Sequence, residues 1–235
     1  MENGGSTVRA ERVFNAILKA LDVESAVTLW RYDFVAVTRV TDGEPETFFR
    51  PIKPPAANLT RVVEASQLAE RIASGDAAQT TIASEVQRIR NIASPYNTWL
   101  VILAAALAAG FFTQFIGGDW PGFGVAFVAG AIGQTVRAAL QRRKFGGATT
   151  TLVCALLSAL IAAFGLRAGI SQVAPATLIG SVGYMIPGLP LVNGFIDVAS
   201  HRNITVGAMR ILNAAFIFLV LAVGIAVGAG VAELK

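Results

Sequence analysis

The chain has 235 residues, of which 54% are hydrophobic and only 14% charged, with a net charge of +4 and a mean hydropathy of +0.60. An average soluble domain carries about 25% charged residues, so this composition argues against a purely soluble protein. Residues 1–96 hold 11 Lys/Arg and 12 Asp/Glu, whereas residues 97–235 hold 8 and 3. The positive charge therefore comes from the apolar part, and no dense basic cluster on the polar part points to nucleic acid.

The polar part reads as a small α+β domain over residues 1–96. The stretch "STVRAERVFNAILKAL" repeats apolar residues at Val13, Ile17 and Leu21, with Phe14 and Leu18 beside them, which is helical spacing. Three short β-rich runs follow, "AVTLW", "FVAVTRV" and "ETFFRPI", with Asp42-Gly43 as a hairpin signal between the second and third. "KPPAANL" is a loop that ends in Asn58, a candidate cap for a helix to about Ser74. Asp76 and Gln79 have capping-box spacing for a further helix to about Ser94. The opening "MENGGSTVRAERVF" lacks the apolar core of a signal peptide, so this domain is expected to stay in the cytoplasm.

Residues 97–235 read as a transmembrane domain with five spans, at about 98–116, 121–140, 150–166, 173–195 and 206–232. The first is "TWLVILAAALAAGFFTQFI", long enough and uncharged enough to cross a bilayer. Arg142, Arg143 and Lys144 lie between spans two and three, and Arg202 between four and five. The positive-inside rule places these loops and the N-terminal domain in the cytoplasm of an inner-membrane protein, with the C-terminus outside. Ala155, Ala159 and Ala163, Gly224 and Gly228, and Ala126 and Gly130 form small-residue faces, the mark of a packed bundle. The single cysteine, Cys154, sits in an apolar run and excludes an intrachain disulfide and a multi-cysteine metal site.

Span four is broken by "GYMIPGLPLVNGFID". Pro187 and Pro190 each lack an N–H donor, and Gly188 loosens the chain between them. Pro187 falls about 15 residues into the span, roughly 22 Å at the helical rise. Irregular backbone at that depth must be buried in protein or line a wet cavity. A second half-helix starting at Pro190 would aim free N–H groups and a partial positive charge at a carboxylate. Asn193 and Asp197 share a face of that half-helix, and Arg210 is a candidate partner for Asp197 or for a substrate carboxylate. Asp197 is the only acidic residue between Asp119 and Glu233, which makes it the candidate proton-coupling group. Thr177, Ser181 and Tyr184 add hydroxyls upstream, and Gln134 an amide in span two. The competing reading ends span four at Ile186 and leaves Asp197 solvated in an interfacial turn.

Residues 1–96 contain neither histidine nor cysteine, so Ser-His-Asp and Cys-His catalytic sets are impossible within them. No phosphate loop or metal-ligand spacing is present, and neither a cofactor nor an enzymatic activity is expected.

The residues Pro187, Gly188, Pro190, Asn193, Asp197, Gly207 and Arg210 form a Pro-Gly-x-Pro-x-x-Asn-x-x-x-Asp pattern followed by glycine and arginine. This resembles the signature of the threonine/serine exporter family. "GGSTVRAE" is similar to that family's opening Gly-Ser-Thr stretch, and "FFRPIKPPAANLTRVVEASQLAERIASG" to its arginine-then-Asn-Leu segment. The resemblance covers nearly the whole chain. It implies export of a small carboxylate or amino acid. Full-length members carry about ten spans, so five spans imply the split form, in which a second, smaller membrane subunit supplies the rest. Split-type relatives are associated with succinate. Three readings follow: a proton-coupled threonine/serine exporter subunit, a dicarboxylate exporter subunit, or a non-transporting regulatory or assembly subunit. Homo-oligomerisation is expected in each.

Overall fold

The computed structural model describes residues 1–21, 23, 26–41, 44–53, 57–76, 79–201 and 203–233. The expected hairpin turn at Asp42-Gly43, part of the "KPPAANL" loop and the basic loop residue Arg202 lie outside these residues. The chain packs as two compact units. The first comprises Met1–Pro95 with Gly188–Ala214, the second Tyr96–Pro187 with Ala215–Lys235.

The first unit opens with α1 (Thr7–Ala20), capped by Ser6, whose hydroxyl accepts the Arg9 N–H, and closed with Lys19 in its last turn. Three antiparallel strands follow in the order β1 (Ala26–Trp30), β2 (Phe34–Thr41) and β3 (Glu44–Pro51), with Leu29 opposite Ala36 and Ala36 opposite Phe49. Trp30 of β1 meets Phe14 of α1 edge to face, with ring centroids 6.0 Å apart. Helix α2 (Leu59–Ala73) starts at Asn58, whose side chain accepts the Arg61 N–H as the sequence leads one to expect. Asn58 and Arg61 both donate to the carbonyl of Ile92, just beyond α3 (Gln79–Asn91). Surface ion pairs Arg71–Glu85 and Arg88–Glu64 join α2 and α3. Residues 77–78, ahead of α3, lie outside the described residues, and Asp76 accepts a hydrogen bond from Ser74.

The second unit holds α4 (Thr98–Phe115), α5 (Trp120–Arg142), α6 (Gly147–Arg167) and α7 (Ala174–Val182), followed by a 3-10 turn at Gly183–Met185. Asn97 and Asp119 cap α4 and α5 by accepting the N–H groups of Leu100 and Gly122. After the break come α8 (Gly188–Ala199) and α9 (Ile204–Glu233), whose last part belongs to the second unit. Four helices, α4, α5, α6 and α9, are long and apolar enough to cross a membrane. The bent pair of α7 with its 3-10 turn and α8 makes up to five. The small-residue faces meet as their spacing suggests: a Cβ on Gly224 would stand 2.7 Å from Ala155 Cβ, and one on Gly228 2.8 Å from Ala159 Cβ. Cys154 is fully buried in an apolar cluster with Val182, Met185 and Leu221.

The break has a local cause. Ile186 precedes proline and takes an extended conformation, φ −56° and ψ 125°, because the pyrrolidine ring disfavours the helical region for its neighbour. Helix α8 begins at Gly188, two residues before the expected start. Pro190 still fits in its first turn, where N–H groups have no intrahelical acceptor to lose.

Candidate functional site

Helix α8 turns Asn193 and Asp197 to one buried side, one turn apart, with Asp197 fully excluded from solvent. Arg210, in the second turn of α9, is 7% exposed and places its Nε 3.4 Å from Asp197 Oδ2. α8 and α9 approach closely at two glycines. A Cβ on Gly207 would stand 2.6 Å from the carbonyl oxygen of Gly194, so glycine is required at that crossing. Three of the residues singled out from the sequence, Asn193, Asp197 and Arg210, therefore converge.

What they converge on is the start of the chain. Asp197 Oδ1 accepts the Thr7 N–H at 2.8 Å and the Val8 N–H at 3.4 Å, and Oδ2 accepts the Thr7 hydroxyl at 2.9 Å. Asn193 Nδ2 donates to the Gly4 carbonyl at 2.8 Å, and both terminal nitrogens of Arg210 donate to the Gly5 carbonyl at 3.2 Å. Asn203, just before α9, donates to Glu11 on α1 at 3.3 Å. The first three N–H groups of α1 are thus satisfied by Asp197 and Ser6, in place of water. Gly4 has φ +94°, a left-handed conformation that glycine adopts without strain. A charge pair removed from water is costly, but here each charged group also has further hydrogen-bond partners, the condition under which such a pair persists.

The remaining sequence-derived residues fall elsewhere. Gly188 and Pro190 form the exposed to half-buried head of α8, and Pro187 precedes it, buried. Ser181, Tyr184 and Gln134 belong to the second unit. There the Tyr184 hydroxyl pairs with Ser158 at 3.3 Å, and Ser158 also donates to the Ala129 carbonyl. Ser181 donates to the Leu178 carbonyl, and Thr177 pairs with Ser171 at 2.8 Å. Gln134 is half-buried on α5.

Residues that sequence reasoning passed over also carry the arrangement. Thr7 is given no role by the sequence, yet it supplies two of the donors to Asp197. The "GGST" stretch was the signal that could have found it, had it been paired with the signature on α8. In the second unit, Asp119 caps α5 and also accepts the Ser171 hydroxyl at 2.7 Å and the Gln172 N–H at 3.0 Å. These bonds, the Gln172 N–H foremost, hold its carboxyl below the usual carboxylate range. Among the described residues no group of three or more His, Cys, Asp or Glu could hold a metal ion.

The family model described as "Putative threonine/serine exporter" matches residues 1–232. The chain belongs to the threonine/serine exporter family. It is 22% identical over 226 residues to "Probable succinate transporter subunit YjjP" of Klebsiella aerogenes, covering 96% of this chain and 86% of that one. It is 26% identical over 199 residues to "Probable threonine/serine exporter" of Mycobacterium tuberculosis, covering 81% of this chain but 36% of that protein. "Pheromone-regulated membrane protein 10" of Kluyveromyces lactis is 27% identical over 148 residues, 62% of this chain and 16% of that one. The chain therefore spans most of the first relative and a minor part of the other two. No solved structure matches it. A transporter family with several apolar helices makes this a multi-pass membrane protein.

Proposed function

We propose that this chain is a subunit of an inner-membrane secondary transporter that exports a small carboxylate, threonine- or serine-type amino acids first, in exchange for protons. The observation that carries the reading is the buried Asn193–Asp197–Arg210 trio on α8 and α9. A guanidinium and a carboxylate side by side offer complementary ends to an amino acid, and buried ionisable residues on apolar helices mark substrate or proton paths. Gly188 and Pro190 leave the head of α8 open to a carboxylate, while Ser181, Tyr184 and Gln134 line the polar side of the helices in the second unit. Asp197 is the proton-coupling group. Residues 1–96 form the cytoplasmic domain and 97–235 the transmembrane domain. Arg142, Arg143 and Lys144 face the cytoplasm, and the C-terminus lies outside. A second membrane subunit completes the path, and the assembly is a homo-oligomer of such pairs. Membership of a transporter family supports transport over catalysis.

A second reading, export of succinate, is favoured by the relative whose length this chain covers to 86%. Efflux of labelled threonine and succinate from proteoliposomes under an imposed proton gradient separates the two. The chain is reconstituted alone and with its second half. Efflux only with both halves supports the split exporter, and the preferred label names the substrate. Unimpaired proton-driven export by Asp197→Asn removes Asp197 as the coupling group. No efflux of either label by folded protein shifts the chain to a regulatory or assembly role.

A further inference from the structure

We infer that the free edge of β3 is the interface between two copies of this chain, joined across a two-fold axis at Phe48 into one continuous sheet. The inference rests on the homo-oligomeric reading above and gives it a location. The sheet runs β1-β2-β3, so β3 is an edge strand, and all eight of its residues are exposed, Phe48 at 48% and Phe49 at 71%. The other edge, β1, keeps every second residue half-buried, with Trp30 against Phe14. An exposed edge that carries aromatic side chains is a template for another strand.

The edge is partly blocked, and the blocks select one partner and one register. Ile52 donates its N–H to Asp33 at 2.7 Å, and bonded pairs alternate along an antiparallel ladder, so Glu44, Glu46, Phe48 and Arg50 turn their backbone groups to β2. The outer edge belongs to Pro45, Thr47, Phe49 and Pro51. The prolines have no N–H to give, which leaves Thr47 and Phe49 as a window between them. A second β3 running antiparallel fills that window when Thr47 faces the partner's Phe49 and Phe49 the partner's Thr47, each pair exchanging two N–H···O bonds. Pro45 then faces the partner's Pro51, and both rings stay at the margins. A slip of two residues either way sets a proline against Phe49 or Thr47. A slip of one sets the window against backbone that is already bonded.

The side chains agree with this register. Phe48 faces the partner's Phe48 in a non-bonded pair, where side chains stand closer. On either side Glu46 faces the partner's Arg50, and Arg50 the partner's Glu46. Glu46 already pairs with Arg39 of β2 at 2.8 Å, and Arg39 lies over the Phe48 ring, 5.2 Å from its centroid. Pairing adds a second cation to that row and gives a carboxylate to Arg50, which has no ion pair among the described residues. Opposite charges directly across a strand pair favour pairing, and like charges oppose it.

Size-exclusion chromatography with light scattering, on the full chain in detergent micelles, tests the interface. The native chain is expected as a dimer or a multiple of one. Arg50→Glu sets carboxylate against carboxylate and Glu46→Arg cation against cation, so each is expected to halve the protein mass, with the dissociation constant raised about tenfold or more. Mixed in equal amounts, the two variants are complementary at both positions and are expected to restore the native mass, which loss of folding cannot produce. A second arm reads the register. Phe48→Cys is expected to form an intermolecular disulfide under mild oxidation, because the two-fold axis sets this residue opposite itself at a separation that a disulfide spans. Val27→Cys, 74% exposed on β1, is expected not to, and the fully buried Cys154 does not compete. A monomeric native chain overturns both the interface and the homo-oligomer. Oligomers that survive both charge variants overturn the interface and leave the homo-oligomer standing. A mixture of folded variants that stays monomeric overturns it as well, as does equal cross-linking of Phe48→Cys and Val27→Cys. The disulfide arm decides where a charge variant does not fold.

Discussion

The carboxylate of Asp197 takes both the backbone N–H and the hydroxyl of Thr7, at 2.8 and 2.9 Å, across a sequence separation of 190 residues. One side chain on α8 thereby caps α1, neutralises part of its N-terminal dipole and pairs with Arg210.

The Asp197–Arg210 pair is expected to behave as a unit. Removing either charge alone, Asp197→Asn or Arg210→Met, leaves the other buried without its partner, at a cost of about 3–5 kcal/mol. The double variant is expected to cost less than the two added together, by about 0.5–3 kcal/mol. Denaturant unfolding in detergent micelles measures all three, and strict additivity would show that the two side chains do not depend on each other.

Thr7 is expected to be sensitive to loss of its hydroxyl rather than to loss of its methyl. Thr7→Val removes the hydroxyl from Asp197 Oδ2 and leaves it the Arg210 Nε at 3.4 Å, and a hydrogen bond to a charged group contributes about 1.5–3 kcal/mol. Thr7→Ser keeps the donor and is expected to cost less. Thermal melts of the two variants give the comparison, and equal losses would assign the effect to packing.

Gly207 fixes the approach of α9 to α8. A Cβ there would meet backbone on two sides, the Gly194 carbonyl oxygen at 2.6 Å and the Val198 nitrogen at 2.8 Å, and backbone yields less readily than a side chain. Gly207→Ala is expected to destabilise the protein by about 1–3 kcal/mol, the usual range for overpacking. It should also loosen the Arg210–Asp197 contact, because Arg210 lies one turn further along α9. A lowered melting temperature checks this. A variant with native stability would mean that α8 and α9 can separate without cost.

Asp119 predicts a particular response to acid. Its carboxyl is held below the usual range by the Gln172 N–H and the Ser171 hydroxyl. A group whose folded pKa is depressed stabilises fully above its unfolded value of about 4, and that contribution is lost as pH falls through the folded value. The stability difference between the native chain and Asp119→Asn should therefore be constant from neutral pH to about pH 5 and shrink below about pH 4. Circular-dichroism melts across that interval check it. A difference that widens in acid would reverse the assigned sign.

Much of the architecture is written in local patterns that need no tertiary information. The stripe of Val13, Phe14 and Ile17 marks α1, Asn58 marks the start of α2, and the three β-rich runs become β1 to β3. Long, predominantly apolar stretches mark α4, α5, α6 and α9 because length and apolarity are properties of a segment alone. Pro187 forces Ile186 out of the helical region through a contact between adjacent residues, so the break is legible too. The partners of Asp197 are of a different kind. Spacing along α8 places Asn193 and Asp197 on one face, but no local rule says what that face meets. Only the tertiary structure groups Gly188–Ala214 with Met1–Pro95 and brings Thr7 to Asp197. Hydrogen bonds act between neighbours in space, and the chain's path between residues 7 and 197 is decided by the packing of every element between them. The sequence by itself determined where the helices run and where one of them breaks, and the tertiary structure decided what the charged residues at that break hold.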